Sequence, residues 1–317
     1  MKRKRKNNDI HTNTKGFSLS LRLMRKGLKL LSLISPALTV MVVTRMFCKP
    51  ARKKIRKKQE LFYESGTTDT LRIGGYTVKV LKKGNGRSVF MVHGWGSYGY
   101  DMKNVVDALV RKGYQVILPD LPCHGRSSGI FTEQIKVSRV IEELLLHYNA
   151  QRPIEQIVTH SWGGTSTLLA LDRIYKSNYI GFNIKRMVSV SMPSRLDAVM
   201  NIFCMVLNLS EKIKKGLLVN INKIARSDDR SVEEAFPIGL TDLLQVPKFD
   251  YLLIHGKRDR AISYANTVRL ANKFPQLRTQ IDDNMGHMNI LMRTSVHEAI
   301  LSHLAVTTKE KVASMAS

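Results

Sequence analysis

The stretch "VTHSWGGTST", residues 158–167, decides how this chain is read. An apolar run leads into it and helix-like apolar spacing follows it. Its one candidate nucleophile, Ser161, lies between His160 and Trp162 and is followed by Gly163 and Gly164. A serine hydroxyl is a weak nucleophile until a neighbouring base removes its proton. Whether Ser161 reacts or only closes a glycine-rich turn therefore depends on what the rest of the chain supplies.

Working outward, "PIEQIVTH" before the turn reads as a strand and "WGGTSTLLALDRIY" after it as a helix. The same alternation recurs on both sides. "YTVKVLKKG", "GRSVFMVHGWG", "YQVILPD", "IKRMVSVSMPS", "KFDYLLIHG" and "LRTQID" read as strands. "YGYDMKNVVDALVRKGY", "FTEQIKVSRVIEELLLHY", "SYANTVRLANKF" and "TSVHEAILSHLAV" have helical spacing. Short apolar strands alternating with helices predict an α/β fold with a mostly parallel sheet covered on both faces. Sites on such sheets collect at the carboxyl ends of the strands.

Residues 195–246 break the alternation. They hold several helical apolar spacings, with Met200, Phe203, Val206 and Leu207 on one face, and no clear strand. We expect a helical cap inserted after "VSVSMPS", its apolar face serving either as core or as a lid over substrate. The expected organisation is an N-terminal segment 1–60, a first core part 61–194, the cap 195–246 and a second core part 247–317.

A serine hydrolase needs a nucleophile, a base, a carboxylate to orient the base, and N–H donors for the oxyanion. Ser161, Asp259 after "YLLIHGKR" and His287 in "DDNMGHMNIL" each follow an expected strand. The chain order Ser, Asp, His is that of one serine hydrolase fold and not of the others.

The motifs "HGWG" at 93–96, "DLPCHGRSSG" at 120–129, "HSWGG" at 160–164, "HGKRD" at 255–259 and "GH" at 286–287 stand in this order. Over Tyr76 to Val306 the sequence thereby resembles the α/β-hydrolase superfamily. "SPALTVMVVTRMFCKPARKK" and "GHMNIL" are similar to a family of bacterial α/β-hydrolases whose substrates are poorly defined. The resemblance implies Ser161 as nucleophile, His287 as base and Asp259 as its orienting acid. It implies an oxyanion hole from the backbone N–H groups of Trp95 and Trp162. His93, Gly94, Gly96, Gly163, Asp120 and His124 would shape the surrounding loops. Thr159 stands where the superfamily's G-x-S-x-G elbow has its first glycine. The expected activity is hydrolysis of a small carboxylic ester, with acyl or lipid esters included, through an acyl-enzyme. An acyltransferase or thioesterase with the same triad, and a catalytically silent binding protein, are the alternatives. A serine at the elbow speaks against mechanisms whose nucleophile is a carboxylate.

The nine histidines show no ligand spacing such as HExxH, and Cys48, Cys123 and Cys204 form no CxxC, so neither a metal nor a cofactor is expected. The net charge is +26, of which residues 1–60 hold +16, with 18 Lys and Arg against Asp9 and Glu60. The uncharged stretch Leu30 to Thr44 is shorter than the ~20 residues of a spanning helix and lies between basic flanks. It reads as an interfacial segment, so an anionic membrane surface is the expected partner of residues 1–58. A short anchor, or a helix packed on the domain, would also fit. Nucleic acid is disfavoured, because the basic cluster is interleaved with aliphatic residues and not with base-stacking aromatics. No A-x-A cleavage signal follows the apolar run, so the expected location is cytoplasmic, against a membrane.

Overall fold

Gly74 and Gly75 take positive φ angles of 54° and 79°, a conformation that a Cβ disfavours, and so close a tight hairpin. The hairpin joins β1 (Thr67–Ile73) to β2 (Tyr76–Lys83) in antiparallel register. The computed structural model, which describes residues 18–195, 197–228 and 249–305, extends this pair into an eight-stranded sheet. The further strands are β3 (Ser88–Val92), β4 (Gln115–Pro119), β5 (Gln156–His160), β6 (Arg186–Val190), β7 (Asp250–Gly256) and β8 (Arg278–Asp282). Their order is β1-β2-β4-β3-β5-β6-β7-β8. β2 meets β4 antiparallel, and every neighbouring pair from β4 to β8 is parallel. The expected α/β sheet is therefore present. β1 was not expected, because its exposed or half-exposed threonines and aspartate carry little of the burial signal of a strand.

Helices cover both faces. The chain runs through α1 (Leu19–Ile34), α2 (Pro36–Phe47), α3 (Lys57–Glu64), α4 (Lys103–Arg111), α5 (Gln134–Gln151) and α6 (Trp162–Lys176). It continues with α7 (Ala198–Leu207), α8 (Glu211–Asp228), α9 (Ala265–Lys273) and α10 (Thr294–Leu304). β3, β5 and β6 are buried along their whole length. Their side chains alternate between two cores. Phe90, Val92, Ile157 and Met187 join one with α5 and α6, whereas Val89, Met91, Val158 and Val188 join the other with α4 and α10.

For the N-terminal segment, the structure bears on the alternative of a helix packed on the domain. Ser35 caps α2, and Pro36 occupies its first turn, so the apolar stretch breaks into two helices at the residues that favour a helix start. α2 does not stand apart from the domain. It buries Thr39, Val43, Thr44 and Phe47, and a Cβ on Gly216 of α8 would come within 2.5 Å of Val40. α1 turns Leu28 inward, and its Arg25 Nε donates to the Val206 carbonyl at 2.8 Å. This half of the segment is thus a helix packed on the domain, with only part of its surface left outside. Among the described residues no helix is long and apolar enough to cross a membrane.

In the expected cap, described residues 197–228 hold α7 and α8 and no strand. Met200 and Leu207 are buried, and Phe203 and Val206 half-buried. Residues 229–248 lie outside the described residues.

Candidate active site

Parallel strands end at one edge of the sheet, and the residues singled out above follow those ends. Ser161 stands between β5 and α6 with φ 52° and ψ −129°. A non-glycine residue at such φ is uncommon and strained, and here the strain lifts the serine out of the strand into a sharp elbow. Ser161 N–H donates to the Val190 carbonyl at 2.8 Å, fixing the elbow to the end of β6. The turn can be this tight because Gly163 and Gly164, two and three positions on, lack side chains. A Cβ on Gly163 would fall 2.4 Å from the His93 carbonyl oxygen, and one on Gly164 would fall 2.7 Å from Met192 Sδ and 3.0 Å from Thr159 Oγ1. Thr159 fills the first elbow position fully buried, its hydroxyl 2.6 Å from Ser189 Oγ.

Asp259 and His287 meet directly, with His287 Nδ1 2.7 Å from Asp259 Oδ2. Asp259 Oδ1 accepts from Ala261 N at 2.9 Å and Ile262 N at 2.8 Å. His255 Nε2, 3.3 Å from Oδ2, donates to the Ile262 carbonyl at 2.9 Å. Burial alone would raise the Asp259 pKa, but the bonds from His255 and His287 outweigh it and hold the carboxyl well below its usual range. An ionised carboxylate on Nδ1 favours the His287 tautomer with a bare Nε2, the form a general base would need. No Ser161–His287 hydrogen bond occurs in the structure. The two residues are linked one position away, where His160 Nε2 donates to the His287 carbonyl at 2.9 Å and the two rings lie 4.9 Å apart. That link was not legible in the sequence, where His160 reads as packing.

The loop after β3 lies against the elbow, since a Cβ on Gly94 would sit 3.0 Å from Ser161 Cβ. Two buried imidazoles brace this loop. His93 Nε2 accepts from Leu121 N at 3.0 Å while its Nδ1 donates to the Gly94 carbonyl at 2.9 Å. His124 Nε2 accepts from Gly96 N at 3.0 Å while its Nδ1 donates to the Pro122 carbonyl at 2.8 Å. Each ring must be neutral to accept, and burial pushes the pKa of His93 down to about 4 and that of His124 down to about 3. Asp120 accepts from Gly99 N at 2.7 Å, Arg126 N at 2.9 Å and Tyr63 Oη at 3.0 Å. Trp95 occupies the Gly94–Ser97 turn and Trp162 opens α6. Neither backbone N–H has a protein acceptor among the described residues.

Two aromatic residues complete the surroundings, Phe203 from the expected cap face and Phe47, which sequence reasoning did not place. Phe47 at the end of α2 stacks on Trp95 with ring centroids 6.0 Å apart and meets Phe203 of α7 at 5.3 Å, while Trp95 meets Trp162 at 4.8 Å. Nothing in local spacing could pair residues so far apart in the chain. Among the described residues no group of three His, Cys, Asp or Glu side chains could hold a metal.

Residues 87–206 match a family model described as the alpha/beta hydrolase fold. A soluble epoxide hydrolase of Corynebacterium sp. (strain C12) is 30% identical over 95 residues, 29% of this chain and 32% of that protein. The chain thus matches about a third of that relative's length. Among solved structures, a Pyrococcus furiosus esterase superposes with a TM-score of 0.60 at 17% identity, covering 81% of this chain and 96% of that one. The thioesterase domain from the curacin biosynthetic pathway superposes with a TM-score of 0.54 at 18% identity, covering 74% of this chain and 99% of that one.

Proposed function

Starting from the α/β-hydrolase fold that this chain has, we propose that it is a serine hydrolase of carboxylic esters working through an acyl-enzyme. The observation that carries the reading is the 2.7 Å Asp259–His287 pair, tied through His160 to the strained elbow of Ser161. In this reading, closing the Ser161–His287 gap on substrate lets His287 Nε2 take the Ser161 proton as Oγ attacks the carbonyl carbon. The N–H groups of Trp95 and Trp162 receive the oxyanion. His287 then returns the proton to the leaving alcohol, and a water deprotonated by the same imidazole releases the acid. A serine at the elbow favours this chemistry over one that begins with a carboxylate nucleophile. A thioester substrate or a second alcohol as acceptor needs the same residues.

The reading places the enzyme in the cytoplasm at an anionic lipid surface. It is supported by the basic N-terminal residues and by three buried thiols without disulfides, as a reducing compartment favours. The test is a panel of p-nitrophenyl esters and acyl thioesters of increasing chain length. We expect saturable ester hydrolysis that falls about 1,000-fold or more in Ser161→Ala. Turnover of thioesters alone would replace the ester reading, and binding of acyl chains without turnover of any substrate would leave a silent binding protein.

A further inference from the structure

One face of α1 has no partner among the described residues. Leu19, Leu23, Leu30 and Ile34 follow one another at spacings of four, seven and four, which puts them within about 60° of arc on an α-helix. They are 72%, 58%, 61% and 74% exposed. Gly27, at the edge of the stripe, has nothing among the described residues within 4 Å of where a Cβ would be. On α2, Leu38 and Met41 are also exposed, at 42% and 49%. A contiguous run of this kind marks an interaction site more often than a random scatter of exposed leucines does.

The charges beside the stripe say what fits it. Arg22, Lys26 and Lys29 are exposed, and at spacings of four and three they form a second row along one side of it. Neither α1 nor α2 contains an acidic residue, and residues 1–17 add six Lys and Arg against Asp9 alone. A second copy of this surface would bring cation against cation. A plane of anionic headgroups over acyl chains would meet both rows at once. The opposite face of α1, through Leu28 and Arg25, is already committed to the domain, so the helix must lie flat.

We infer that the outward face of α1, extended by Leu38 and Met41, docks on an anionic lipid bilayer, with Leu19, Leu23, Leu30 and Ile34 in the headgroup region and Arg22, Lys26 and Lys29 on the lipid phosphates. This specifies the membrane contact of the proposed function. It rests on that reading's lipid surface and not on its ester chemistry.

The experiment is flotation of the full chain with vesicles of dialkyl ether phosphatidylcholine, with and without dialkyl ether phosphatidylglycerol. These lipids contain no carboxylic ester, so binding and hydrolysis succeed or fail separately. Two exposed-site variants, Leu23→Gln with Leu30→Gln and Lys26→Gln with Lys29→Gln, keep helix-favouring residues, and circular dichroism checks their folding. We expect binding only to anionic vesicles and a loss of about tenfold or more in each variant. Three results would overturn the inference. In one, the leucine variant floats as well as wild type, which would assign binding to the basic arm alone. In another, neutral vesicles hold the protein equally. In the third, the wild type dimerises without lipid and the leucine variant does not.

Discussion

His160 sits between Ser161, the proposed nucleophile, and the loop of His287, the proposed base, and its chemistry follows from its burial. Burial, with the neighbouring His287 imidazole, pushes its pKa down to about 3, so the ring is neutral at working pH. Nε2 must carry the proton to meet the His287 carbonyl, which leaves Nδ1 bare and without a partner among the described residues. In the proposed mechanism a donor in this place would set the position of His287 without touching substrate. We expect His160→Leu to lower kcat about 10- to 100-fold with KM little changed, because a small displacement of a reacting group is costly. His160→Gln, which restores a donor, should recover most of the loss. A leucine variant with wild-type kcat would reduce His160 to packing. Thr159 makes a related point: the first elbow position accepts a side chain here because Gly164 leaves the space and Ser189 meets the hydroxyl.

At the scale of elements, α2 forms a wall of the candidate site through Phe47 and is not an appendage to the domain. Phe47 is 9% exposed and lies between Trp95 of the candidate oxyanion loop and Phe203 of α7. Phe47→Ala should cost about 3 kcal/mol of stability, as expected for emptying a buried aromatic site, and should lower turnover by loosening the Trp95 turn. Urea melts and ester kinetics on one preparation read both effects, and an unchanged melt would remove Phe47 from the core. The strand ends carrying Ser161 and Asp259 were legible because buried parallel strands read as short apolar runs closed by glycine or polar turns, whereas β8 before His287 is only half-buried at best. The place of α2 was not legible. Aliphatic residues between basic flanks suit a lipid surface and a protein core equally well, and the deciding fact is the close approach of Val40 to Gly216 across 176 residues. β1 was missed for the opposite reason, its edge position leaving too little burial to impose a period of two.

The whole molecule keeps several imidazoles uncharged inside it, and this sets its response to acid. His93, His124 and His160 have pKa values pushed down by burial to about 4, 3 and 3, against about 6.5 in an unfolded chain. Between those limits the unfolded state binds more protons than the folded one. The stability these groups allow is therefore full above about pH 6.5 and falls as pH drops, by up to about 1.4 kcal/mol per pH unit for each ring. Asp259, held below its usual range, adds stability above about pH 4 that is lost with further acidification. Urea midpoints should decline steeply from pH 6.5 to pH 5, and a flat profile would contradict neutral buried rings. The same fold draws Ser161, Asp259 and His287 to one edge of the sheet from positions up to 126 residues apart, and that assembly is the central claim. Its most direct test is labelling of the folded protein with a fluorophosphonate, with the modified peptide mapped by mass spectrometry. Stoichiometric labelling on Ser161, abolished in folded His287→Ala, is the predicted result. A folded wild type that stays unlabelled, or that labels elsewhere, would contradict it.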